Sequence, residues 1–67
     1  MTIRELRDLT PQVDTYICVV TYPDNREKEL YWGRAVNLTK KVLDADVDYF
    51  YPNVSIDHKA YLVAVVR

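Results

Sequence analysis

The chain carries one thiol and one imidazole, so Cys18 and His58 are the only pair from which a Cys–His nucleophile could be built. Such a pair needs an accessible sulfur whose pKa is lowered by a neighbouring cation or base. Cys18 lies in the middle of an apolar run, residues 15–22 (TYICVVTY), where a free cysteine packs as a small hydrophobe. His58 sits between Asp57 and Lys59, the setting of a solvated surface side chain. Both therefore read as structural, and no catalytic residue is expected.

Asp44, Asp46 and Asp48 alternate like the start of a calcium-binding EF-hand loop. That loop needs glycine at its sixth position and a bidentate glutamate at its twelfth. Tyr49 and Ser55 stand there instead, so the three aspartates read as a solvated acidic rim. A protein-only zinc site lacks ligands. With Gly33 the only glycine, no Walker or Rossmann phosphate loop can form. No metal and no cofactor is expected. Glu27, Glu29 and the three aspartates are acid–base candidates only in being acidic. Asn37-Leu38-Thr39 and Asn53-Val54-Ser55 fit the glycosylation sequon, but no secretory signal accompanies them.

Nucleic-acid binding has a concrete residue set. Tyr31 and Trp32 could stack bases, flanked by Lys28, Arg34, Lys40 and Lys41. Against it, nine basic and ten acidic side chains give net charge −1, whereas nucleic-acid binders carry a basic excess. Trp32 also reads as a core anchor beside Leu30. This function stands as the alternative.

The elements that must position these residues follow from periodicity. Sixty-seven residues, 49% hydrophobic and 28% charged, make a single globular domain, 1–67, rather than a disordered chain. Thr2-Ile3-Arg4-Glu5 has the form of a capping box, and Ile3, Leu6 and Leu9 share one side of a short helix over residues 3–9. Pro11 stops it by pushing Thr10 out of the helical region. Residues 15–22 read as a central strand, with Tyr16, Cys18, Val20 and Tyr22 on one face. Pro23-Asp24-Asn25 is a turn, and residues 28–32 form the second arm of a hairpin. There Leu30 and Trp32 share one face, and Glu29 and Tyr31 the other. Gly33 marks a bulge or bend.

Residues 36–44 read as a second helix, with Asn37 as N-cap and Lys40 and Lys41 in solvent. Residues 47–51 return to strand, which Pro52 breaks or bends; a proline there indicates an edge. Residues 60–66 form a second central strand. The order is α-β-β-α-β-β. The expected fold class is α+β, a four-stranded antiparallel sheet with two short helices on one face.

A chain this short buries only about 60% of its unfolded surface, and two cysteines for a disulfide are lacking. Its aromatic residues exceed what so small a core encloses, so one aromatic row is expected at the surface. Tyrosine rows there mark protein interfaces, and an edge strand adds unpaired backbone groups beside them. The partner-binding residues expected are Tyr31, Tyr49, Tyr51 and Tyr61, with Asp46 and Asp48 at the rim. The partner is a protein or a second copy of the chain, so a homo-oligomer is expected. No apolar run approaches the ~18–20 residues of a membrane helix. With a charged start and one cysteine, the expected location is cytoplasmic.

This layout resembles small α+β proteins carried by bacteriophages and mobile elements. The resemblance lies in the Thr2-to-Leu6 helix start, the strand closing on Leu30-Tyr31-Trp32-Gly33, the helix ending in Leu43, the Val47-to-Tyr51 strand and the final apolar strand. Such proteins mostly lack an assigned activity, and some phage-encoded ones act by binding host machinery; the non-enzymatic interaction role expected here comes from the aromatic excess and the lack of a catalytic constellation. The resemblance rests on pattern over most of the chain and carries over no functional residue.

Overall fold

A computed structural model describes residues 1–9 and 15–67. The Thr2 hydroxyl accepts from the Glu5 amide at 3.3 Å, and the Thr2 amide donates to the Glu5 carboxylate at 3.1 Å. This reciprocal cap starts helix α1, Ile3–Asp8, and buries Ile3 and Leu6. Leu9 is the C-cap and is exposed, so the helix ends one residue short of the expected end and its buried stripe ends at Leu6. The expected stop at Thr10 and Pro11 lies outside the described residues.

Strand β1, Tyr16–Thr21, turns through Pro23–Asn25 into β2, Lys28–Arg34. Asp24 and Asn25 both take positive φ, which asparagine and aspartate tolerate better than other side chains. After β2 a 3₁₀ turn at Ala35–Asn37 leads to α2, Lys40–Leu43. This helix is one turn long, and its N-cap is Thr39 rather than Asn37, which the 3₁₀ turn absorbs. The anchors Ala35, Leu38 and Leu43 are buried, so packing fixes this segment rather than a cap hydrogen bond. Strands β3, Val47–Val54, and β4, Ala60–Val66, form the second hairpin. Pro52 does not end β3. It pairs with Leu62 inside the strand, a position open to proline because β3 is at the sheet edge.

The strand order is β2-β1-β4-β3. Both strands expected to be central are central. The sheet is mixed rather than wholly antiparallel: the two hairpins join through a parallel β1–β4 pair, with Tyr16 opposite Tyr61 and Val20 opposite Val65. Sequence periodicity marks strands but not which strands adjoin, and each of these two buried strands is apolar enough to accept the other.

Ile3, Leu6, Leu38 and Leu43 pack on Ile17, Val19, Ala64 and Val66, so both helices cover one sheet face. The N-terminal segment is stitched to the connection before β3. Ile3 donates its amide to Ala45, Val47 donates its amide to Met1, and Arg4 pairs with Asp44 at 3.0 Å. Among the described residues no helix covers the opposite face. Among the described residues no helix is long and apolar enough to cross a membrane.

Candidate interaction surface

Two bulges decide which side chains reach the open face. In β2, Tyr31 pairs with Val19 and Glu29 with Val20, so Leu30 is an extra residue. A bulge places two successive side chains on one side and resets the alternation. Leu30 and Tyr31 therefore both lie on the helix side, Leu30 near Val42 and Ala45, and Tyr31 against the main core. Glu29 and Trp32 reach the open face together. The expected pairing of Leu30 with Trp32, and of Glu29 with Tyr31, is thus corrected. In β3, Asp48 is the extra residue between the Val47–Val66 and Tyr49–Val65 pairs.

On the open face Val20, Val63 and Val65 are buried with no helix among the described residues packed on them. Cys18 and Tyr61 pack against them, and further aromatic side chains lie on the same face. Tyr16, Trp32 and Tyr61 form one group, with Trp32 edge-on to Tyr61 at 4.8 Å and roughly parallel to Tyr16 at 6.1 Å between ring centres. Tyr49 and Tyr51 stack at 6.3 Å on β3. Trp32 is 47% exposed and Tyr49 51%, so these rings are a half-wet lid rather than core anchors. Trp32 as a core anchor is corrected accordingly. Aromatic pairs in such offset or edge geometries add about 0.5–1.5 kcal/mol beyond their buried area.

Polar groups near the rings include Glu27 and Glu29 on the β2 side and Asp57 and Lys59 on the loop side. The Tyr22 hydroxyl donates to Glu27 at 3.0 Å, which holds its proton on and raises its pKa. The Cys18 thiol faces Glu29 at 3.8 Å, and burial together with the Glu29 charge pushes it up to about 11. That shift is opposite to what a thiolate nucleophile requires.

The loop between β3 and β4 is a built turn at one end of the face. Ser55 donates through its hydroxyl to Asp57 and through its amide to the Lys59 carbonyl at 2.9 Å. The Ser55 hydrogen bond, with the Lys59 charge, holds the Asp57 carboxyl below its ordinary range. His58 takes a positive φ in this turn, and Ile56 stands fully in solvent at its tip.

Of the six residues expected to bind a partner, Tyr49, Tyr51 and Tyr61 share the open face. Tyr31 does not. Its ring packs on the helix side and its hydroxyl donates to the Arg34 carbonyl at 2.6 Å. Asp48 sits at the far end of the open face beside Tyr49, 3.6 Å from Arg67. The Asp46 backbone bridges to Thr2 and accepts from the Arg67 amide, so this residue closes the sheet end. Asp44 is held by Arg4, and no group of three metal-ligating side chains occurs among the described residues.

The stacking set of the alternative reading is divided. Trp32 lies on the open face, while Tyr31 and Lys41 lie on the helix side. Tyr16, Tyr22, Trp32 and Glu29 are surface members outside the expected partner-binding set; Trp32 belonged to the alternative stacking set and Glu29 to the acid–base candidates. Tyr16 and Tyr22 were readable from their alternation with Cys18 and Val20; Trp32 and Glu29 were hidden by the bulge. No protein-family model, curated protein or solved structure matches the chain.

Proposed function

We propose that this chain is a non-enzymatic protein-interaction module that binds itself or another protein through the open sheet face and the β3 edge. The observation that carries the proposal is a layer of buried valines, packed by Cys18 and Tyr61, on a face that also bears the half-exposed rings of Trp32, Tyr49 and Tyr51. Contiguous exposed aromatic surface on so small a domain marks an interaction site, and tyrosine and tryptophan are the side chains interfaces favour. The adjoining edge strand β3 is exposed along most of its length and bears Tyr49, Phe50 and Tyr51. Its unpaired backbone groups offer a partner a strand to extend. A cytoplasmic module is proposed with it, on the single cysteine and the lack of a disulfide framework.

The test is the double change Tyr49→Ser with Tyr51→Ser. Association is read by sedimentation velocity for the chain alone and by retention of nuclease-resistant partners on the tagged chain. The double variant should stay folded, by far-UV circular dichroism and Trp32 emission, and lose association. A folded double variant that associates as the parent does would show that this face is not the interface. Retention that disappears with nuclease would favour a nucleic acid instead.

A further inference from the structure

We propose that the groove between Trp32 and the 55–59 loop receives an arginine side chain presented by a partner protein. This deepens the reading of the open face as an interaction surface and rests on it. The groove has a volume of about 450 Å³, within the ~300–1,000 Å³ of ligand pockets. Its lining includes the aromatic rings of Trp32 and Tyr61, the carboxylates of Glu29 and Asp57, and the Cys18 thiol. None of the residues that line it is cationic; Lys59 borders the adjoining cavity of about 220 Å³ instead.

Three features select the occupant. The indole makes a T-shaped contact with Tyr61 and lies roughly parallel to Tyr16, yet remains about half exposed, so it still offers ring surface to a flat cation. A guanidinium stacks on indole faces more readily than other side chains and is only weakly hydrated. Glu29 and Asp57 supply carboxylates that its forked N–H donors fit. Glu29 and Glu27 both raise the Cys18 thiol, and Glu27 raises Tyr22, so negative potential extends along this side of the face. An anionic partner group would meet the Glu29 and Asp57 carboxylates, of which only Asp57 has a cation, Lys59, acting on it.

Trp32 is the only tryptophan, so its emission reports the groove directly. The full chain is titrated at low salt with capped Gly-Arg-Gly, with the same peptide carrying citrulline or lysine, and with tetramethylammonium. Saturable quenching is expected with the arginine peptide, about tenfold weaker with uncharged citrulline, and weaker with lysine, which lacks the planar fork. Glu29→Gln and Asp57→Asn, both at exposed positions, should each weaken the arginine peptide by about fivefold. Equal quenching by citrulline, or no saturable change, overturns the proposal. So does tetramethylammonium binding as tightly as the arginine peptide, which would assign the groove to small quaternary amines.

The Tyr49→Ser/Tyr51→Ser variant separates the two claims, because neither tyrosine lines the groove. Arginine quenching retained while association is lost supports both. Association lost through the tyrosines with no arginine quenching in the parent refutes the groove assignment alone. Arginine quenching with association insensitive to the tyrosines supports the groove and refutes the wider surface.

Discussion

Replacing Gly33 with alanine tests whether β2 is held as described. Gly33 has φ +155°, a conformation that L side chains rarely adopt. A Cβ built there meets the Tyr31 hydroxyl oxygen at 3.0 Å and the Tyr31 Cζ at 3.4 Å. The Tyr31 ring folds over the glycine and its hydroxyl bonds the Arg34 carbonyl, so the aromatic fills the space a side chain would occupy on this edge strand. Two costs follow from this geometry. The backbone conformation costs an L residue about 1–3 kcal/mol. Displacing the Tyr31 hydroxyl forfeits a hydrogen bond of about 1 kcal/mol. Together they reach about 2–4 kcal/mol, against about 3–10 kcal/mol for a domain of this length. Tyr31→Phe removes the hydroxyl in advance, so Gly33→Ala in that background should cost about 1 kcal/mol less than in the parent. Urea unfolding at low temperature, followed by far-UV circular dichroism with the slope checked for constancy, measures all four proteins. A Gly33→Ala cost below about 0.5 kcal/mol, the range of inert surface changes, would refute the reasoning. An identical cost in both backgrounds would refute the Tyr31 contact.

Thr2→Ala removes the cap of α1 and should destabilise the chain by about 1 kcal/mol, read by the same unfolding assay. The Thr2 hydrogen bonds hold the Glu5 carboxyl below its ordinary 4.5, so the folded state loses this proton more readily than the unfolded one. The capping contribution is therefore full above pH 4.5 and is lost as pH falls through the lower folded value; parent and Glu5→Gln curves should converge in acid. Cys18, raised to about 11 from 9.0, should alkylate with iodoacetamide near pH 8 about tenfold more slowly than in the urea-unfolded chain, after allowing for the greater nucleophilicity of a more basic thiolate. Equal rates would contradict the packing around Glu29.

Local signals carried much of the fold. The Thr2–Glu5 box, the Pro23-Asp24-Asn25 turn and the apolar Ala60–Val66 strand each depend on a few neighbouring residues, and each formed where the sequence indicated. The parallel β1–β4 pairing did not show, because strand adjacency is a tertiary choice that alternation does not encode. Asn37 has good N-cap chemistry, yet burial of Ala35, Leu38 and Leu43 draws it into a 3₁₀ turn. At the candidate surface, Tyr49, Tyr51 and Tyr61 were legible from excess aromatic content and alternation. Tyr31 was assigned to the wrong side and Trp32 to the core, because one extra residue at Leu30 shifts the phase of half a strand. A bulge of this kind has no glycine or proline to announce it here.

The central claim is that the aromatic open face, not the helix side, is what a partner covers. Hydroxyl-radical footprinting of the associated and dissociated chain, read residue by residue by mass spectrometry, tests it directly. The expected result is protection of Trp32, Tyr49 and Tyr51 on association, with Tyr31 and the exposed Leu9 of the helix side unchanged. Protection of Leu9 and Tyr31 with Trp32, Tyr49 and Tyr51 still fully oxidised would contradict the account.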